Sequence, residues 1–276
     1  MTTRTLEIYG RGYLGTLLAT ALSASTPKTL AANNPQLSTS SRAAKPPETF
    51  AILASGPSSV GSPLEELICW KSRLELWVAS NQHRVGHVIY FSSAGTVYGE
   101  MGSTPHVETS TLQPQSDYGK YHAWAEERLS EFLKDRLTIL RLANIYGPRQ
   151  RMKSGQGFIT AAVRALETEQ PLTIYGNGSI VRDYVHETDV VMLIKAVIKN
   201  PRAGVFNVAS GEGTDQRSAA SIVERSFNRT LRIHYEASRL SDIQANILST
   251  EKAQTVFGWK AATNLQDGIE TYKEAY

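Results

Sequence analysis

Only one cysteine, Cys69, occurs in the 276 residues, so no internal disulfide can form and a cytoplasmic setting is the expectation. No stretch approaches the roughly 18 consecutive apolar residues of a membrane span, and residues 1–6 lack a basic region followed by an apolar run. The expected protein is soluble and does not act at a membrane. Charge of one sign is also scarce: 29 Lys and Arg face 26 Asp and Glu, a net of +3, and the two signs are interspersed. That leaves no basic stripe for nucleic acid, and the small excess suits anionic ligands. Histidines do not group as metal ligands. His83 and His87 straddle Gly86 just before an apolar run, so no metal site is expected. One local absence matters most, because no Asp or Glu occurs between Glu7 and Glu48.

With 41% hydrophobic residues, the chain has ample material for a sizeable core. Residues 6–9 read as a strand, 10–15 as a turn and 16–25 as a helix. Residues 27–47 are rich in Ser, Thr, Asn, Ala and Pro, with a strand expected only at 28–32. Further strands are expected at 50–54, 88–91 and 137–142, with helices over 63–81 and 118–132, and the strand at 142 is broken by Asn144 to Pro148. Beyond about residue 155 the units shorten, with helices near 158–168, 188–199 and 214–227 and strands at 172–175 and 232–235. Strands alternating with helices predict an α/β protein, a Rossmann-type doubly wound parallel sheet, with a smaller C-terminal α/β substrate lobe. The expected division is 1–154 for a dinucleotide-binding domain, shortened after its first helix, and 155–276 for a nucleotide-sugar lobe that partly interleaves with it, some C-terminal segments packing back on the first domain. In such sheets ligands lie beyond the carboxyl ends of the strands. Gly10 to Gly15, Ala54-Ser55-Gly56, Ser92 to Thr96 and Asn144 all fall at such ends.

Gly10-Arg11-Gly12-Tyr13-Leu14-Gly15 has the spacing that lets backbone N–H groups approach a pyrophosphate at a helix amino terminus. The acid that would hold the ribose hydroxyls of NAD about 20 positions on is missing, and Arg11, Lys28, Arg42 and Lys45 occupy the gap. An arginine attracts a 2′-phosphate that an acid repels, so NADP(H) is favoured over NAD(H). Tyr118 and His122 are four apart and share a helix face, whereas Lys120 points about 200° round the same helix.

Five ordered segments, Gly10 to Gly15, Ser92 to Gly99, Tyr118-Gly119-Lys120-Tyr121-His122, Leu140 to Pro148 and Ile174 to Tyr184, resemble the extended short-chain dehydrogenase/reductases, in particular the nucleotide-sugar epimerase/dehydratase family. The resemblance spans nearly the whole chain. It implies that Tyr118 gives or takes the proton of a sugar hydroxyl while a nicotinamide moves a hydride. His122 stands where that family has a lysine that lowers the tyrosine pKa and holds the nicotinamide ribose. An imidazole is mostly neutral at pH 7, so the expectation is a weaker effect on Tyr118 and a pH profile that depends on His122. Ala94 replaces the family's Ser or Thr, leaving Thr96, then Ser93, to supply that hydroxyl. Gly95 and Thr96 replace the Asp-Glu pair of the dehydratases, which removes 4,6-dehydration. The resemblance further assigns Arg182 and Arg239 to the diphosphate, and Asn144, Gln156, Gly157 and Tyr175 to the nucleotide sugar. A homodimer through two paired helices is implied as well.

Three functions follow from these residues. The first is an NAD(P)-dependent ketoreductase acting at C4 of a nucleotide-diphosphate deoxysugar, with Tyr118 donating the proton. The second is a C4 epimerase that retains NAD. The third is a catalytically impaired paralogue that only binds the nucleotide sugar, suggested by the changes at positions 94 and 122.

Overall fold

A computed structural model describes residues 5–24, 27–30, 49–100, 105–150, 157–238 and 243–274. In chain order the elements begin with β1 (Thr5–Tyr9), α1 (Tyr13–Ala21), β2 (Thr49–Leu53), α2 (Leu64–Asn81), β3 (His87–Ser93), α3 (Ala94–Val97), α4 (Asp117–Leu133), β4 (Leu137–Leu142) and β5 (Asn144–Tyr146). They continue with α5 (Phe158–Thr168), β6 (Leu172–Tyr175), β7 (Val181–His186), α6 (Glu187–Lys199), β8 (Gly204–Val208), β9 (Gly213–Asp215) and α7 (Gln216–Phe227). The last are β10 (Ile233–Glu236), β11 (Ala245–Asn246), α8 (Glu251–Phe257) and α9 (Leu265–Glu274). Among the described residues no helix is long and apolar enough to cross a membrane.

Five strands form one sheet in the order β1-β2-β3-β4-β8. The pairings of β1 with β2 and of β2 with β3 are parallel, and their registers place Tyr9, Leu53 and Tyr90 in one row. Parallel strands are buried on both faces, which is why β3 and β4 read as nearly unbroken apolar runs. The strand expected at 28–32 is reduced, among the described residues, to a single bridge between Tyr9 and Lys28.

The chain divides into two compact units. The first holds Met1–Ser92, Ser116–Leu140 and Lys195–Val205; the second holds Ser93–Gln115, Arg141–Ile194 and Phe206–Tyr276. The division therefore passes inside β3, β4, α6 and β8, and residues 93–115 and 141–154 belong to the second unit while 195–205 belong to the first. In the first unit, α2 and α4 cover the face that carries Tyr9, Leu53, Val88 and Tyr90. Helix α4 has a clear start and stop. The Ser116 hydroxyl accepts the Gly119 N–H at 3.1 Å, Ala125, Leu129 and Leu133 recur every fourth residue on the buried face, and Lys134 ends the helix at φ 49°.

In the second unit the order is β11-β7-β5, with β9 antiparallel to β7, while β10 pairs with β6. Its core gathers Tyr146, Ile159, Val163, Ile174, Val223 and Tyr272. The break expected at Asn144 to Pro148 is in part a strand, β5, paired in parallel with β7.

Candidate active site

In the first unit, the glycine turn is built by close backbone approach. Gly10 has φ 134°, and a Cβ there would run into the Ala54 carbonyl. A Cβ at Gly15 would strike the Gly10 carbonyl, whereas one at Gly12 would meet nothing within 4 Å. Two glycines thus allow the packing, and the third faces open space. Gly12 is also the N-cap of α1, with no side chain capping the free N–H groups. The helix begins at Tyr13, three residues earlier than its composition suggested, which brings its amino terminus onto the turn. Such a cradle fits a pyrophosphate. Its position is fixed by the Tyr9 carbonyl, which accepts both the Ala54 N–H at 2.8 Å and the Ser55 hydroxyl at 2.7 Å.

The bases near this turn are partly committed elsewhere. Lys28 pairs with Glu7 at 2.8 Å, and Arg11 donates its Nε–H to the Pro27 carbonyl at 3.2 Å. Arg42 lies outside the described residues. Of the two described basic residues between Glu7 and Glu48, Lys28 is tied to a carboxylate and Arg11 only to a backbone carbonyl.

The rings of Tyr118 and His122 stand 4.6 Å apart on α4, edge to face, as the four-residue spacing requires. Lys120 is exposed and pairs with Asp117 at 3.0 Å. His122 is buried, and its Nδ1 lies 2.8 Å from the hydroxyl of Tyr90 on β3. Its Nε2 has no hydrogen-bond partner among the described residues, and its Cε1 lies 3.7 Å from where a Cβ on Gly56 would sit. Burial pushes the His122 imidazole down to about 3 and the Tyr118 phenol up to about 12. Burial thus disfavours the charged imidazole and works against a His122 titration near neutral pH, since a cation there would sit in an apolar core. Sequence reasoning missed Tyr90. Its strand period turns Val88 and Tyr90 toward α4 but does not name the partner there.

In the second unit, Ser93 is the N-cap of α3, and Thr96 donates its hydroxyl to the Ser93 carbonyl at 3.2 Å. Both side chains are half-buried. Asn144 donates to the Asp183 carbonyl at 3.3 Å, and Arg182 donates to the carbonyls of Val181 and Ile243 at 2.9 and 2.7 Å. Gly157 caps α5 at φ 80°, where a Cβ would collide with the Gln150 amide. Tyr175 ends β6. Gln156 and Arg239 lie outside the described residues. Asp183, unsuspected from sequence, is fully buried. Its carboxylate accepts the N–H groups of Ser210 and Gly211 at 2.8 and 3.0 Å and the Ser210 hydroxyl at 2.7 Å.

Residues 47–209 match the NAD dependent epimerase/dehydratase family. The chain belongs to this family. The glycine turn precedes the matched stretch, so it rests on its own geometry. The chain is 28% identical over 187 residues to a dTDP-4-dehydro-6-deoxyglucose reductase of Escherichia coli, covering 66% of this chain and 59% of that protein. It is 30% identical over 191 residues to a UDP-glucose 4-epimerase of Mycolicibacterium smegmatis, covering 67% and 60%. These alignments thus span about three-fifths of the curated relatives' lengths. The fold superposes on a UDP-glucose 4-epimerase of Thermotoga maritima, solved with UDP-glucose, with a TM-score of 0.82, 22% identity and 98% coverage of both chains.

Proposed function

We propose that the chain is an NAD(P)-dependent oxidoreductase that reduces a keto group, at C4, on a nucleotide-diphosphate deoxysugar. The observation that carries this reading is the pairing on α4 of half-buried Tyr118 with buried His122, whose rings lie 4.6 Å apart, a phenol beside an uncharged imidazole. A phenol kept protonated at pH 7 is ready to donate, which is what the oxygen of a newly reduced carbonyl requires. An epimerase must first take a proton from the sugar, and burial works against the tyrosinate that would do so.

A bound nicotinamide dinucleotide supplies the hydride. The residues fit such a group: the Gly10–Gly12–Gly15 cradle would take its pyrophosphate, and the buried, unpaired His122 Nε2 would meet an oxygen of the molecule. The turn after β2, at Ser55 and Gly56, belongs to the same end of the sheet. Arg182 and Arg239 are assigned to the sugar diphosphate, and Asn144, Gln156, Gly157 and Tyr175 to the nucleotide sugar, with Thr96 or Ser93 steadying the reacting oxygen. Residues 1–154 are assigned chiefly to the dinucleotide and 155–276 to the sugar nucleotide.

The C4 epimerase with retained NAD remains the second reading, favoured by Lys28 being tied to Glu7 and so withheld from a 2′-phosphate. On α2, Leu64 and Ile68 lie one turn apart and are 61% and 55% exposed, an apolar stripe that suits a homodimer. Sedimentation at equilibrium measures that state.

Mass spectrometry of what the freshly denatured protein releases decides between the two readings. Stoichiometric NAD overturns the reductase. An empty protein that oxidises NADPH or NADH at 340 nm when given a nucleotide-linked 4-keto-6-deoxysugar supports it. Tyr118→Phe then lowers kcat by roughly a hundredfold or more, the usual contribution of a proton-transfer group.

A further inference from the structure

We propose that Tyr90 is a positioning residue that holds His122 as an uncharged imidazole with its proton on Nε2, so that this donor receives an uncharged oxygen of the bound dinucleotide. The inference rests on the dinucleotide reading above and adds to it a residue, a tautomer and a direction of hydrogen bonding.

The hydrogen-bond inventory of the two buried side chains sets the direction. Tyr90 is fully buried, and its hydroxyl lies 2.8 Å from His122 Nδ1. If His122 donated from Nδ1, the phenolic hydrogen would have no acceptor among the described residues and the bare Nε2 no donor. If Tyr90 donates, Nδ1 is satisfied, and one donor, Nε2–H, is left over. Each arrangement leaves one hydrogen unpaired, but the first also leaves Nε2 a bare acceptor, and unsatisfied buried polar groups are expensive, so the second arrangement wins. The tautomer of a histidine is in general set by the bond its other nitrogen makes.

The groups that face the ring are Tyr90 from β3 and Tyr118 and Tyr121 from α4, whose rings lie 6.1, 4.6 and 5.4 Å from it, with Glu126 one turn further along α4. Gly56 approaches from the turn after β2 and adds no charge. None of these supplies a cation. The ring that carries the leftover donor brings its Cε1 near Gly56, in the turn that follows β2, the end of the strand where ligands of such sheets bind, and a neutral N–H suits a hydroxyl oxygen better than a phosphate. Tyr90 occupies its place because it shares the register row of Tyr9 and Leu53, on the face that α4 covers.

The test is nitrogen NMR of imidazole-labelled protein, with the His122 signals assigned by difference against His122→Gln. Dinucleotide affinity is measured alongside by NADH and NADPH fluorescence. The wild type is expected to show the neutral, Nε2-protonated pattern unchanged from pH 5 to 8. Tyr90→Phe is expected to show a tautomer mixture, to melt a few degrees lower because Nδ1 loses its donor, and to bind the dinucleotide roughly five- to tenfold more weakly, the worth of about one hydrogen bond. A wild-type His122 protonated on Nδ1, or titrating within that range, overturns the proposal without any variant. So does a Tyr90→Phe protein of unaltered affinity. A wild type that takes up neither dinucleotide overturns the cofactor reading and the ligand half of the proposal together, while its tautomer pattern still decides the hold of Tyr90 on His122.

Discussion

Glu7 offers a quantitative test of how β1 is held. Its carboxylate is nearly buried and accepts from Arg84 at 2.6 and 3.1 Å, from Lys28 at 2.8 Å and from the Tyr9 hydroxyl at 2.7 Å. These partners, with Arg84 the strongest, pull its pKa from 4.5 down to about 2. At about 1.4 kcal/mol per unit that displacement is worth roughly 3 kcal/mol. The lysine and arginine side chains are 48% and 47% exposed, so solvent screening reduces the figure to about 2 kcal/mol. A carboxyl with a lowered folded-state pKa stabilises above its unfolded value and loses that contribution as pH falls toward the folded one. Urea unfolding of the wild type and of Glu7→Gln should therefore differ by about 2 kcal/mol at pH 7, and by roughly half of that near pH 3. Equal midpoints at pH 7, or a difference that does not shrink with acid, would refute the reasoning. The perturbation also reaches the glycine turn, because Lys28 bonds through its backbone to Ile8 O at 2.7 Å and to Gly10 N at 2.9 Å.

Two other sites give contrasting outcomes. Gly12→Ala should leave the melting temperature unchanged, since a Cβ there meets nothing, while weakening dinucleotide binding in calorimetry; Gly10→Ala should lose both, because its φ and the Ala54 carbonyl leave no room. Asp183→Ala strands the amides of Ser210 and Gly211 and should cost roughly 2–3 kcal/mol in denaturant unfolding. Burial raises the Asp183 carboxyl from 3.8 to about 6, so its share of stability falls as pH rises across that window, opposite in sign to Glu7.

Much of the first unit was legible from composition and period. The runs at 50–54, 88–91 and 137–142 are strands because a parallel sheet buried on both faces needs unbroken apolar sequence. Tyr118 and His122 meet because four residues make one helical turn. Less could be read where polarity is set by partners distant in sequence. Val181–His186 carries Arg182 and Asp183 near the start of a strand, and donors distant in sequence, the amides of Ser210 and Gly211 and the Ser210 hydroxyl, make that acid tolerable. Likewise nothing local marks Tyr90 as the partner of a histidine 32 residues away. Among the described residues the strand expected at 28–32 is one bridge at Lys28, and Arg42, Gln156 and Arg239 fall outside them. Burial opposes the pH role expected of His122 for a local reason: an imidazole with no anion bonded to it among the described residues is disfavoured in its charged form.

The double acceptance at the Tyr9 carbonyl has a consequence for how the glycine turn behaves in time. Because Ala54 and Ser55 both anchor to the last residue of β1, the turn opens only when neighbouring strands part. Amide exchange at Ala54 should accordingly be as slow as in the sheet interior, not as fast as in a surface loop. A nucleotide arriving there meets a standing shape, so little ordering entropy is lost on contact, and differences in affinity among ligands fall on their departure rates.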